Sequence, residues 1–226
     1  MSTASAVMAD EERSAAGGSG ALAAAVAALV RGELVAFPTE TVWGLGADAR
    51  SPAAMERLRR WKGRDAQQPV AVLVPDRAAL AALGIALPPA AARLADAFWP
   101  GPLTLVVPAE PGRFAPGVAR ADGAVGLRCS PHPTARGLAA ALLRAGAGPL
   151  TATSLNRSGA PPARTRAEAA ALCAGPDAIL CLDAGPDAGG GPPSTVVDCS
   201  GARPVVLRAG AISETELSRA QELAEP

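Results

Sequence analysis

At 226 residues, 49% of them hydrophobic, the chain is long enough to bury a sizeable core; a formal charge of zero and a pI near 6.6 exclude a global pull toward nucleic acid or an anionic membrane. The first twenty residues are small and acidic with no positively charged start, and the apolar run Ala21–Val30 is too short to span a bilayer, so neither a signal peptide nor a membrane segment is expected. Cys129, Cys173, Cys181 and Cys199 show no CxxC spacing and His132 is the single histidine, which argues against zinc or a disulfide framework and for a cytoplasmic protein with free, mostly buried thiols.

Taken in chain order, Ala21–Arg31 reads as a helix and Leu34–Phe37 as a short strand. Pro52–Trp61 reads as a helix with Ser51 as N-cap and Pro52 in its first turn. Val70–Val74 is a buried strand, followed by helices near Asp76–Leu83 and Pro89–Phe98 and strands at Leu103–Val107 and Ala124–Arg128. Thr134–Arg144 is a helix, Leu150–Thr153 a strand, Thr165–Cys173 a helix, and Ala178–Leu182, Ser194–Asp198 and Val205–Arg208 are strands. Such alternation predicts a single α/β domain around a twisted, mixed, mostly open sheet with flanking helices. The folded unit is expected over 21–212, with residues 1–20 as a flexible N-terminal tail, 213–226 as a loosely held polar tail, and the Gly/Pro-rich stretch Gly185–Pro193 as a flexible loop.

Five stretches carry chemistry. In "FPTETVWGLG" (37–46) a strand ends in hydroxyl and acidic groups, and an aromatic ring sits between glycines. Lys62 and Asn156 are the single lysine and the single asparagine of a chain whose other lysine-or-arginine positions are all arginine; for Lys62, a compact ammonium kept where arginine would be supplied suggests a site that needs that geometry. In "WKGRDAQQPVAVLV" Lys62 and Arg64 flank Gly63 between a helix and a strand; two cations there suit a triphosphate, although a solvated basic turn has the same sequence. In "TATSLNRSGAPPART" Ser154 and Asn156 share one face of an extended segment and could converge on one ligand, or saturate a turn with local hydrogen bonds. "PSTVVD" sets Ser194 and Thr195 at a strand entrance, and "VVLRAGAIS" puts Arg208 at a strand exit.

In this order, and together with "FWPGPLTLVV" and "VGLRCSPHP", these motifs resemble the YrdC-type L-threonylcarbamoyladenylate synthases over roughly residues 20–212. The resemblance implies the YrdC-like fold with a deep electropositive cavity, in the short form without the extra C-terminal domain. It implies condensation of L-threonine, bicarbonate or CO2 and ATP to threonylcarbamoyl-AMP and pyrophosphate, with Mg²⁺ accompanying ATP. Lys62, Arg64, Ser154 and Asn156 are then the catalytic and ATP-binding residues, joined on the nucleotide by Arg208. Thr39, Trp43, Thr104, Arg128 and Ser194 are the threonine-binding residues, while Glu40, Thr41 and the glycines shape the wall. For Thr39 the resemblance favours ligand contact over strand-end capping; for Thr41 both readings stay open. Arg128 also has the reading of a structural ion-pair partner. His132, in a proline-fenced loop, reads as structural.

One departure is Trp43, where the family usually has Tyr: a phenolic hydroxyl is replaced by a larger ring with one N–H donor. The implied partners are a downstream tRNA threonylcarbamoyl transferase complex and, through the positive cavity, tRNA or double-stranded RNA. Two alternatives remain: a carbamoyl-adenylate-forming carbamoyltransferase module, and a non-catalytic double-stranded RNA-binding module.

Overall fold

The computed structural model describes residues 19–63, 69–175, 177, 179–182 and 184–222. Helix α1 covers residues 19–30, and α2 (Pro52–Lys62), α3 (Ala79–Ala82), α4 (Pro89–Phe98), α5 (Pro133–Arg144), α6 (Arg166–Cys173) and α7 (Glu214–Glu222) follow. Among these run β1 (Val35–Phe37), β2 (Gly44–Gly46), β3 (Ala71–Leu73), β4 (Leu103–Pro108), β5 (Ala124–Arg128), β6 (Leu150–Ser154), β7 (Leu180–Cys181), β8 (Thr195–Asp198) and β9 (Val205–Arg208). The nine strands form one sheet in the order β7-β1-β2-β6-β3-β5-β4-β8-β9. Pairs β7–β1, β3–β5 and β4–β8 are parallel and the other neighbours antiparallel, which is the mixed, open sheet expected. Among the described residues no helix is long and apolar enough to cross a membrane.

Local chemistry sets the helix ends that matter. The Ser51 hydroxyl accepts from the Ala54 N–H and Pro52 occupies the first turn of α2, while Gly63, at φ 62°, closes its C-terminus in the left-handed region open to glycine. Ala54, Met55, Leu58 and Trp61 recur at helical spacing and are buried, so the same periodicity fixes where Lys62 emerges.

Strand alternation separates core from cavity. On β4, β5 and β8 the odd-numbered Leu103, Leu105, Val125, Leu127 and Val197 pack into the larger core. The intervening Thr104, Val106, Gly126, Arg128 and Val196 line a cavity on the opposite face. A second cluster joins α1 and α5 through Ala25, Leu29, Leu138 and Leu142 to Val35, Phe37 and Leu150.

Three segments differ from the sequence expectation. β2 is a strand made of Gly-Leu-Gly, which carries no β-forming signal; it pairs antiparallel with β1 and β6, and Gly46 suits that place because a Cβ there would stand 2.8 Å from the Phe37 ring and 2.7 Å from Leu150. At Gly46 the glycine expected to shape the cavity wall is required by the close approach of this chain's own Phe37 ring. The polar end after Ser213 is helix α7, not a loose tail up to residue 222. Ser213 and Glu216 form a capping box, Leu217 is buried, and Gln221 bonds both Arg93 and the Ala90 carbonyl of α4. The stretch from Gly185 to Pro193 is irregular as expected, yet it is tied down as a strap. Thr134 bonds the Ala184 carbonyl at 2.6 Å, Arg166 the Gly185 carbonyl at 3.0 Å, and the Gly189 N–H donates to the Thr39 carbonyl at 3.1 Å.

Candidate active site

The cavity has a volume of about 530 Å³ and runs across seven neighbouring strands, from β2 to β9. Its floor is built of small side chains, with Ala152 on β6, Ala71 on β3, Gly126 on β5 and Thr104 on β4, so the sheet leaves room there for a ligand. Register aligns them: Ala71 pairs with Ala152, Thr104 with Arg128, Val106 with Gly126, and Val196 with Thr104 and Arg208. Thr39, Trp43, Lys62, Thr104, Arg128, Ser154, Asn156, Ser194 and Arg208 all line this one cavity. Arg64 lies outside the described residues.

At one end stand Lys62, Ser154 and Asn156, brought together from segments about ninety residues apart. Lys62 is the last residue of α2, not a loop residue, and only 5% exposed. Its Nζ donates to the Ser154 carbonyl at 2.7 Å and to Asn156 Oδ1 at 2.8 Å. Ser154 Oγ donates to the same Asn156 Oδ1 at 2.6 Å, and Asn156 Nδ2 donates to the Ala160 carbonyl at 2.6 Å. The two side chains converge through the bend after β6 rather than along an extended strand. That bend is seated on the end of α2: the Ser158 N–H bonds the Lys62 carbonyl at 2.7 Å and the Arg157 guanidinium lies 4.4 Å from the Trp61 ring centroid.

Another group is carried by β4, β8 and β9. Thr104 Oγ1 and Ser194 Oγ are 3.0 Å apart, and Arg208 Nη2 donates to the Ser194 carbonyl at 2.8 Å and to its hydroxyl at 3.1 Å.

The bend after β1 forms a further wall. Thr39 is 2% exposed; its hydroxyl donates to the Val42 carbonyl at 2.6 Å and accepts from the Thr41 N–H at 3.3 Å, so it caps the bend while bordering the cavity. Arg128 Nη2 donates to Thr41 Oγ1 at 2.6 Å and to Glu40 Oε1 at 2.7 Å, and Ser130 Oγ donates to Glu40 Oε2. Both readings of Arg128 therefore meet in one side chain, an ion-pair partner that also lines the cavity.

Trp43 is fully buried, and its indole N–H donates to Asp187 Oδ1 of the strap at 2.8 Å, so that donor is engaged within the protein. Burial opposes ionisation of Asp187, but the N–H groups of Arg166, Ala188 and the Trp43 indole outweigh it and hold the carboxyl below the usual aspartate range. His132 stands outside the described lining, with Nε2 3.2 Å from the Pro186 carbonyl, where it supports the strap. Burial pushes the thiols of Cys129 and Cys199 up to about 11, and no cysteine is among the described lining residues, so none is placed to act as a nucleophile there.

Sequence reasoning missed Arg120 and, of the small floor residues, Ala71, Gly126 and Ala152. Arg120 lines the cavity but is saturated by Asp122 and Asp198, whose hydrogen bonds raise its pKa; its own bond holds Asp122 down at about 2. The period-2 alternation of β4 and β5, which puts Thr104, Gly126 and Arg128 on one face, was the signal that could have found the floor. The described lining contains Lys62, Arg120, Arg128 and Arg208 and no aspartate or glutamate.

Comparison with known proteins bears on this arrangement. The Sua5/YciO/YrdC family profile, described as telomere recombination, matches residues 27–210. A threonylcarbamoyl-AMP synthase of Bacillus subtilis is 39% identical over 196 residues, covering 87% of this chain, which spans 55% of that relative's length. One from Chromohalobacter salexigens is 41% identical over 178 residues, 78% of this chain and 91% of the relative. The solved structure of Pyrococcus abyssi Sua5 complexed with L-threonine superposes with a TM-score of 0.76 at 33% identity, over 88% of this chain and 56% of that one. The profile match over most of the chain and these identities place the chain in the Sua5/YciO/YrdC family.

Proposed function

We propose that this chain is an L-threonylcarbamoyladenylate synthase, a nucleotidyltransferase acting on L-threonine, bicarbonate or CO2 and ATP. The observation that carries the reading is the convergence of Lys62, Ser154 and Asn156 with Thr104, Ser194 and Arg208 in one cavity, in a chain whose relatives bear that name. The L-threonine complex of the Pyrococcus abyssi protein favours the same amino acid here.

The threonine amine attacks CO2, or bicarbonate with loss of water, giving a carbamate; a carbamate oxygen then attacks the α-phosphorus of ATP and pyrophosphate leaves. Both steps concentrate negative charge, so positioning and charge neutralisation dominate. Lys62, at the C-terminal end of α2, holds its ammonium against Ser154 and Asn156, where it meets carbamate and phosphate oxygens. Arg208 binds the nucleotide from β9, with Arg64 as a further cation. Arg128 takes the threonine carboxylate, and Thr39, Thr104, Ser194 and the Trp43 ring complete the amino-acid pocket. Four basic side chains and no described carboxylate in the lining support the reading of an electropositive cavity, although Arg120 and Arg128 are paired with carboxylates beside it.

Mg²⁺ enters on the nucleotide. Among the described residues no group of three His, Cys, Asp or Glu side chains could hold a metal; an ion arriving with ATP would be held largely by phosphate oxygens and water, as Mg²⁺ usually is. When bound, it neutralises phosphate charge. The product passes to a tRNA threonylcarbamoyl transferase complex.

The test is pyrophosphate release with each substrate omitted in turn. Release requires ATP, L-threonine and bicarbonate together. Release from carbamoyl phosphate without threonine would instead make the chain a carbamoyltransferase module, and retention of double-stranded RNA with no pyrophosphate release would make it an RNA-binding module.

A further inference from the structure

We propose that Glu40 is a positioning residue for the amino-acid substrate, acting through Arg128. The proposal rests on the threonine reading above and adds a residue outside the described cavity lining. Glu40 and Arg128 form an ion pair at 2.7 Å, with side chains only 16% and 12% exposed. A pair this sheltered from water is screened little and holds its geometry firmly.

Each carboxylate oxygen of Glu40 has its own partner. Oε1 accepts from Arg128 Nη2, and Oε2 accepts from Ser130 Oγ, which itself accepts from the His132 N–H at 3.2 Å. Ser130 is fully buried. The backbone of Glu40 is fixed from the other side by the strap: the neighbouring Thr39 carbonyl accepts from Gly189, and a Cβ on Gly189 would stand 2.2 Å from the Glu40 carbonyl oxygen. Glu40 is therefore seated between the strap and β5, with one carboxylate edge turned to the arginine.

The guanidinium is only partly consumed by this seat. Nη2 is engaged by Glu40 and Thr41, whereas Nε is buried and has no hydrogen-bond partner among the described residues. A buried donor of this kind carries a desolvation cost until an acceptor arrives. Both Nη2 N–H groups are spent on Glu40 and Thr41, which leaves Nη1, with no partner among the described residues, as the donor that Arg128 can offer a carboxylate from the cavity edge. Glu40 holds the fork in register for that acceptor. It also balances the arginine charge, so the site favours a single carboxylate over a polyphosphate, which stays with Lys62 and Arg208.

The experiment is Glu40→Gln, which preserves shape and removes the charge, with L-threonine and ATP constants, direct calorimetric binding of L-threonine, and the melting temperature measured beside wild type. The expected result is a rise in the threonine KM and Kd of roughly ten- to hundred-fold with the ATP KM within about twofold. The effect should be absent in an Arg128→Gln background, because both residues act on one contact. Ser130→Ala, which leaves the pair in place, should raise the threonine constants a few-fold, and it decides the matter if Glu40→Gln does not fold. Unchanged threonine constants, equal weakening of both substrates, or full additivity with Arg128→Gln would overturn the inference while the functional reading stands. Failure of the wild-type protein to bind L-threonine would overturn that reading, and this inference with it.

Discussion

Lys62 joins two roles in one side chain, because its ammonium ties the end of α2 to the bend after β6 and borders the cavity at the same point. Lys62→Ala should lower pyrophosphate release at least about 100-fold, and, since a buried tether is lost, cost about 1–3 kcal/mol of stability. Lys62→Arg should stay substantially impaired, since a planar fork does not fit a seat sized for an ammonium. Kinetics and thermal melting of both variants check this. Trp43 acts through its ring and its N–H separately. Trp43→Phe keeps an aromatic but smaller ring and removes the N–H held by Asp187, so it should weaken threonine binding through a loosened strap and leave the ATP constant nearly unchanged. Asp187 titrates below the usual aspartate range, so its contribution is present above the unfolded value of about 3.9 and is lost as the pH falls through the lower folded value. The stability gap between wild type and Asp187→Asn should accordingly be constant from pH 6 to 8 and close in acid, read by melting curves across pH. At this scale Lys62 was legible because it stands alone of its type in an arginine-rich chain, and Asn156 because of its spacing from Ser154 after a strand. The Glu40–Arg128–Ser130 contact was not, because it joins residues 88 to 90 positions apart and depends on strand order.

At the scale of elements, the period of two along β4, β5 and β8 both builds the core and clears the cavity. Gly126 tests that statement. A Cβ there would meet Ala71 at 3.4 Å and Thr104 at 3.5 Å, ordinary contacts, so Gly126→Ala should fold normally and bind nearly as well. Gly126→Leu should project into the cavity, reducing substrate binding by tenfold or more with a melting temperature near that of wild type. Titration of both substrates against the two variants decides it, and equal loss in both would contradict the floor. Most helices and longer strands could be read from periodicity and caps, as Ser51 and Pro52 show. β2 could not, since Gly-Leu-Gly has no strand-forming side chains beyond Leu45 and is a strand through its pairing with β1 and β6. Helix α7 is polar around most of its surface and hid from a hydrophobic pattern, although the spacing of Ser213 and Glu216 is a start signal.

Across the whole molecule, the site is a product of sheet order. Segments beginning at Thr39 and ending at Arg208 reach one cavity because β6, β3, β5, β4 and β8 are neighbours despite their order in the chain. Sequence motifs named most of these residues, while their grouping into a Lys62 end, a Ser194–Arg208 wall and an Arg128–Glu40 seat required the fold. The central claim is that this cavity joins three substrates into one adenylate. The most direct measurement supplies ¹³C-bicarbonate with ATP and L-threonine and follows the product by mass spectrometry and ¹³C NMR. The account predicts one labelled carbonyl carbon bonded to the threonine nitrogen in a threonylcarbamoyl-AMP species, formed with one pyrophosphate per product and lost in Lys62→Ala. Pyrophosphate release without label in an adenylate, or an adenylate formed in the absence of threonine, would contradict it.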